Sequence, residues 1–244
     1  MTDAERLARE ELAACYRLAA HYRFTDLIYT HITARVPGED GHFLINPYGL
    51  RWEEITASSL VKIDVEGNKV GDSPYRVNPA GFTIHSALHM NVHEAAWIMH
   101  THTRAGVAVS CMEEGLLPLN QIALQFFDRI AYHDFEGIAL DHAERERIVA
   151  DLKGCPVMVL RNHGLIATGR SAAEMFNNMF YLERSCEIQI AALSTGRPLR
   201  AIGPEIARHV VAQYAQMNFD DGDLLLEWQA HLRTIEGLGT DYRA

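Results

Sequence analysis

His100, Thr101 and His102 close an apolar run, Ala96-Trp97-Ile98-Met99. In a β-strand, residues two apart share a face, so two imidazoles placed this way converge on one point, as a metal ion requires. The spacing alone carries little weight. With 13 histidines in 244 residues, chance supplies roughly 0.7 such pairs, and two polar residues at a strand end is the competing reading. A second segment adds to it. Arg161-Asn162-His163-Gly164-Leu165 follows the strand-like Val157-Met158-Val159-Leu160. A histidine at a strand end, with glycine beside it for a tight turn, offers a third ligand. Three neutral imidazoles with open positions is the pattern of a catalytic metal site; a structural zinc site wants a fourth protein ligand, often Cys, and none is nearby in sequence.

Other residues compete for chemical roles. His85, His89 and His93 recur every four residues along one helical face. A bare HxxxH can bind a metal, but it lacks the glutamate that metalloproteases place beside the first histidine. Such histidines are more often satisfied core or surface groups, and His85 could still line a pocket. Tyr132-His133-Asp134-Phe135-Glu136-Gly137 gathers ionisable groups between an apolar strand and a glycine. Clusters of this kind serve as general acids and bases, or are simply solvated turns. Asn78-Pro79-Ala80-Gly81 reads as a helix cap, and Glu183 and Glu187 read as surface or interface charges one helical turn apart. No GxGxxG, Walker loop, GxSxG elbow or cysteine-nucleophile setting is present.

These residues need elements to hold them. An amphipathic helix is predicted over 3–22, with Leu7, Leu12, Cys15, Leu18 and Ala19 on one stripe. Strands are predicted at 27–36, 42–46 and 60–65, the last followed by a hairpin turn at Glu66-Gly67-Asn68. A helix over 80–91, a buried strand over 96–102 and a small-residue helix over 103–111 follow. Further strands are expected at 130–133, 157–161 and 165–168. Ser171-Ala172-Ala173-Glu174 fits a capping box and opens a long helix to about Leu193, stopped by Gly196 and Pro198. From about Ala201 the tail is helical in pattern. Strands that often neighbour one another in sequence predict a three-layer αβα sandwich around a central mixed, largely antiparallel sheet. No repeat or linker is evident, so residues 1–244 are expected to form one domain, with a core over about 5–193.

Bulk properties narrow the function. The formal net charge is −10, from 22 basic and 32 acidic residues. That balance argues against nucleic-acid and anionic-membrane partners, which select a basic footprint. No apolar run is long enough to span a bilayer, and the acidic N-terminus lacks the apolar core of a secretory signal. Cys15, Cys111, Cys155 and Cys186 are far apart, with no CxxC, as in a cytoplasmic chain with free thiols.

Taken together, Tyr29-Thr-His-Ile-Thr-Ala-Arg35, Ala80-Gly-Phe-Thr-Ile-His-Ser86, His100-Thr-His-Thr103, Tyr132-His-Asp-Phe-Glu-Gly137 and Arg161-Asn-His-Gly-Leu165 resemble the class II aldolase/adducin family over roughly 5–193. The likeness is nearer to a bacterial, adducin-head-like branch than to the sugar-phosphate aldolases. It implies the αβα fold and a homotetramer with active sites at subunit interfaces. It also implies one divalent metal on His100, His102 and His163, with Zn2+ ahead of Fe2+, Mn2+ or Co2+. In the aldolases that metal polarises a substrate carbonyl and stabilises the enediolate of C–C cleavage. Two features depart from the sugar-phosphate enzymes. Gly81 stands where they carry an acid–base glutamate, and Pro79 and Ala80 stand where they place phosphate-binding serines. Thr30-His31 also replaces their usual Gly-Asn.

The resulting expectation is a metal-dependent lyase for a small carbonyl substrate without phosphate, a hydroxy- or oxo-acid or a relative. It would act by retro-aldol cleavage or decarboxylation. Tyr132, His133 and His31 are candidates for proton transfer, with His85 lining the site. A non-haem iron oxygenase on the same three histidines is the second expectation. A non-catalytic interaction domain, as in the membrane-skeleton adducins, is the third; their long basic tail has no counterpart in this sequence.

Overall fold

The computed structural model describes residues 1–137, 144–216, 221–239 and 241–244; the side chains of 79–82, 144, 215–216 and 221 fall outside that description. The first helix, α1 (Asp3–His21), starts where expected. Thr2 caps it, its side chain accepting from the Glu5 amide at 3.1 Å, and Asp3 and Glu5 in the first turn complement the helix dipole. Its buried stripe runs through Ala8, Leu12, Cys15, Leu18 and Ala19. Leu7, expected on that stripe, faces outward, and Ala8 takes its place.

Among the described residues seven strands follow: β1 (His31–Arg35), β2 (Phe43–Ile45), β3 (Val61–Ile63), β4 (Trp97–Thr101), β5 (Ile130–His133), β6 (Val157–Leu160) and β7 (Gly164–Gly169). They form one sheet in the order β3-β2-β1-β4-β7-β6-β5. Every pairing is antiparallel except β5 with β6. The helices α2 (Pro79–Asn91) and α4 (Glu144–Leu152) cover one face, over a core of Ile84, Leu88, Ile98, Ile148 and Ile166. On the other face α1 packs with α5 (Ala172–Ser194) and α7 (Asp221–Glu236) over Leu12, Met99, Val159, Phe176 and Trp228. Two helices complete the set, α3 (Arg104–Ser110) after β4 and α6 (Pro204–Gln216) in the tail. This is the expected three-layer αβα sandwich with a mixed, largely antiparallel sheet. Strands β4, β6 and β7 are buried throughout, which is why they read as unbroken apolar runs. Among the described residues no helix is long and apolar enough to cross a membrane.

Two elements differ from expectation. The strand predicted from Leu27 begins only at His31. Its partner β4 pairs with it from Ala34 opposite Trp97 up to His31 opposite His100, so earlier residues have no neighbour to bond. They turn instead, with the Tyr29 amide bonded to the Asp26 carbonyl at 2.8 Å and Leu27 and Thr30 at φ 53° and 66°. Helix α4 was not singled out in the sequence. Its apolar face is narrow, Ile148 and Leu152 being the fully buried pair among many charges.

The chain's last residues return to its first helix. Arg17 makes two contacts with the Asp241 carboxylate, at 3.0 and 3.2 Å. The amides of Ala57 and Ser58 bond to the carbonyls of Tyr242 and Ala244. Beside this seam Tyr16 is fully buried against Trp52, ring centroids 5.1 Å apart. Its hydroxyl donates to the Ile32 carbonyl at 2.5 Å and receives the Ile32 amide at 2.7 Å, so it stitches α1 to β1. Tyr16→Phe strands both Ile32 groups in the core. We expect it to lower unfolding free energy by about 1–3 kcal/mol in a urea titration, with the native circular dichroism spectrum retained.

Candidate metal centre

Strand β4 delivers His100 on the α2 face, two residues after Ile98, and His102 just past the strand's end. His163 comes from the turn joining β6 to β7. That turn is pinned by three backbone bonds: the amides of Arg161, Asn162 and His163 to the carbonyls of His133 (2.8 Å), Ser110 (3.1 Å) and Leu160 (3.1 Å). Asn162 sits at φ 57°, a conformation asparagine tolerates better than most residues. Gly164 is needed for closeness. A Cβ there would meet the Thr101 carbonyl oxygen at 2.3 Å and His102 Cδ2 at 3.2 Å. Beyond His102, Thr103 opens α3, and its hydroxyl donates to the buried carboxylate of Glu183 on α5.

One ring nitrogen from each of His100, His102 and His163 lies within 4.8 Å of the others. The ring centroids are 4.7 to 4.8 Å apart. Hydrogen-bond partners fix two of the tautomers. His100 Nδ1 lies 2.9 Å from the Leu165 carbonyl oxygen, and His102 Nδ1 lies 3.0 Å from Asp26 Oδ2. Both partners only accept, so both Nδ1 atoms carry hydrogen. Burial, then the neighbouring His163, holds His100 well below the ordinary imidazole range, so its ring stays neutral. Its Nε2 is then a bare lone pair, 2.9 Å from His102 Nε2. Two such nitrogens repel unless a cation lies between them. His163, its pKa brought down to about 4 by burial, is the third neutral donor. This donor set fits a divalent ion. His100 is 3% exposed while the His102 side chain is 27% exposed, so the group is closed beneath and open above.

The other expected residues divide. His31 is brought to the group, its ring 5.4 Å from that of His100 and 4.2 Å from that of His85. His85 is fully buried and heads a chain of bonds. His89 Nδ1 donates to the Ala95 carbonyl at 2.8 Å, so His89 Nε2 accepts from the Thr33 hydroxyl at 2.6 Å. Thr33 Oγ1 then receives His85 Nδ1–H at 2.6 Å. The bare nitrogen left on His85 is Nε2, which has no hydrogen-bond partner among the described residues. His133 also joins this face, its Nδ1 2.8 Å from Asp151 Oδ2 on α4. Tyr132 does not join. Alternation along β5 turns it to the opposite face, where its hydroxyl accepts the Leu116 amide at 3.0 Å and its ring lies 4.3 Å from the Arg161 guanidinium carbon. The helical triplet His85, His89 and His93 holds no metal arrangement among the described residues: His93 is exposed beyond the end of α2, and His89 stacks on Phe43 at 4.6 Å. Pro79, Ala80 and Gly81 begin α2, and their side chains lie outside the described residues. Glu183, expected as a surface or interface charge, is buried within the chain, and burial pushes its carboxyl up to about 7. Glu187 is exposed. Asp26, Thr33 and Asp151 were not anticipated. Asp26 and Asp151 lie outside the histidine motifs, Thr33 lies within the 29–35 motif, and no local spacing ties any of them to its partner.

A profile described as Class II Aldolase and Adducin N-terminal domain matches residues 10–190. A Caulobacter vibrioides protein provisionally named as a class 2 aldolase is 53% identical over 217 residues, covering 89% of this chain and 84% of that protein. Mouse (Mus musculus) alpha-adducin is 48% identical over 198 residues, 80% of this chain but 27% of its own length. Among solved structures, an aldolase II superfamily protein from Pseudomonas syringae superposes with a TM-score of 0.94 at 48% identity, covering 100% of this chain and 98% of that one. L-fuculose 1-phosphate aldolase from Glaciozyma antarctica PI12 superposes with a TM-score of 0.86 at 27% identity, covering 98% and 93%.

Two outcomes are expected. Gly164→Ala forces apart the Thr101 carbonyl and the His163 turn, and should weaken Zn2+ binding at least about tenfold by calorimetric titration. The second concerns acid. Burial lowers His163 to about 4 and His89 to about 3, from an ordinary value of 6.5. The unfolded chain therefore binds more protons below pH 6.5. Stability from these groups is complete above that pH and is lost as pH falls toward 4 and then 3. The urea midpoint of the metal-free protein should drop across that window.

Proposed function

Because the chain belongs to the class II aldolase and adducin N-terminal domain family, we propose that it is a metal-dependent lyase. Its reaction is retro-aldol cleavage or decarboxylation of a hydroxy- or oxo-acid, or a related carbonyl compound, that carries no phosphate. The observation that carries this reading is the pair of bare Nε2 atoms of His100 and His102, 2.9 Å apart, with His163 beside them. These three would hold one divalent ion, Zn2+ before Fe2+, Mn2+ or Co2+. When bound, that ion supplies Lewis acidity toward a substrate carbonyl.

The remaining steps belong to side chains. His133 is the group best placed to move a proton, since the Asp151 carboxylate orients its ring through Nδ1. Burial keeps His85 neutral, and the His31 ring lies beside it, centroids 4.2 Å apart. Tyr132 takes no part within its own chain, its hydroxyl being held by Leu116. Gly81, Pro79 and Ala80 in place of an acid–base glutamate and two serines support a substrate lacking phosphate. Leu27, Tyr29 and Phe135, exposed by 68%, 48% and 56%, follow site residues closely in sequence and support a homotetramer with its sites near subunit contacts. The acidic balance and the free thiols support a cytoplasmic enzyme with no nucleic-acid or membrane partner.

Elemental analysis of the parent and of His100→Ala tests the reading, alongside turnover of a panel of hydroxy- and oxo-acids. About one metal per chain is expected in the parent and none in the variant, because three ligands hold a catalytic ion and two hold it poorly. Zinc or manganese with substrate cleavage supports the lyase. Iron with oxygen uptake would redirect it to an oxygenase. A metal-loaded parent inert toward the whole panel would overturn it.

A further inference from the structure

In the loop between α1 and β1, Tyr22 and Phe24 pack on the core, and the residues after them are built with care. Within eight residues the loop places Arg23, Leu27 and Thr30 at φ 63°, 53° and 66°. None of these is glycine, and a leucine in that region is uncommon. The loop closes on itself through the Tyr29 amide and the Asp26 carbonyl, 2.8 Å apart, with an isolated bridge between the same two residues. What this arrangement holds in place is the Asp26 carboxylate, 3.0 Å from His102 Nδ1. The two residues are 76 apart in sequence.

We infer that Asp26 is the positioning residue that makes His102 a metal ligand. The inference rests on the metal centre proposed above. His102 differs from His100 in what holds it. His100 is buried, with its Nδ1 tied to a backbone carbonyl of the sheet. His102 lies past the end of β4 with 27% of its side chain exposed, so neither strand nor core fixes its ring. The carboxylate does so. It holds hydrogen on Nδ1 and turns Nε2 toward His100. The Asp26 side chain is 48% exposed and spans no packed layer, so removing it leaves the fold intact.

The test is competitive Zn2+ titration against a chromophoric chelator, with the melting temperature of each metal-free protein and the histidine 15N spectrum recorded beside it. In Asp26→Ala, zinc affinity should fall about ten- to a hundredfold. Its metal-free melting temperature should match the parent's, and the His102 nitrogens should lose their fixed Nδ1–H signature. Asp26→Asn keeps an accepting oxygen without the charge, so its loss should be intermediate and its tautomer retained. Equal zinc affinity in Asp26→Ala and the parent would overturn the inference while leaving the metal centre standing. So would a fall in melting temperature that matched the affinity loss, since that marks a purely structural loop. A parent that binds no zinc at all would overturn both.

Discussion

Two imidazole nitrogens with their lone pairs turned on each other set the terms for everything around them. His100 and His102 have both committed their hydrogens outward, to Leu165 and Asp26, and their inner nitrogens stand 2.9 Å apart. No packing preference would create such a contact. It persists because the sheet leaves the two rings little choice. β4 pairs with β7 so that His100 lies opposite Ile166 and Thr101 opposite Leu165, and the β6–β7 turn then reaches the same spot with His163. A one-residue shift of β4 against β7 would send His100 to the other face of the sheet.

Around this group the protein keeps histidines neutral by burial and by directed bonds. The chain from Ala95 through His89 and Thr33 to His85 leaves each proton one position only. Rings held this way are polar yet uncharged, so they add no positive charge to compete with a nearby cation. His133 is held differently, its Nδ1 against the Asp151 carboxylate of α4.

Much of this was legible in the sequence. The apolar run 96–99 with two histidines at its end announced both a buried strand and a shared face, and Gly164 after His163 announced a tight turn. The helices with clean caps, Thr2 and Ser171, started where their sequences said. What was not legible depends on neighbours distant in the chain. Leu27 to Thr30 has strand composition, but whether it pairs is decided by where β4 stops. Tyr132 and His133 are adjacent and chemically alike as candidates, and only the packing of β5 against β6 says which one faces the histidines. Asp26 and Asp151 are ordinary acids in ordinary polar stretches; their meaning comes from a ring 76 or 18 positions away. Glu183 looked like a surface or interface charge because helical spacing is silent about a helix packed on several sides of its own chain.

The seam between the two ends of the chain bears on how the molecule is made. α1 contributes Leu12, Tyr16 and Leu18 to a core that also contains Trp228, Ile235 and Tyr242, and Arg17 meets a carboxylate 224 residues away. During synthesis α1 therefore has one flank bare until residues 228–242 emerge. Synthesis at roughly 5–20 residues per second makes that an exposure of many seconds, during which the apolar stripe is open to chaperones or to another unfinished chain.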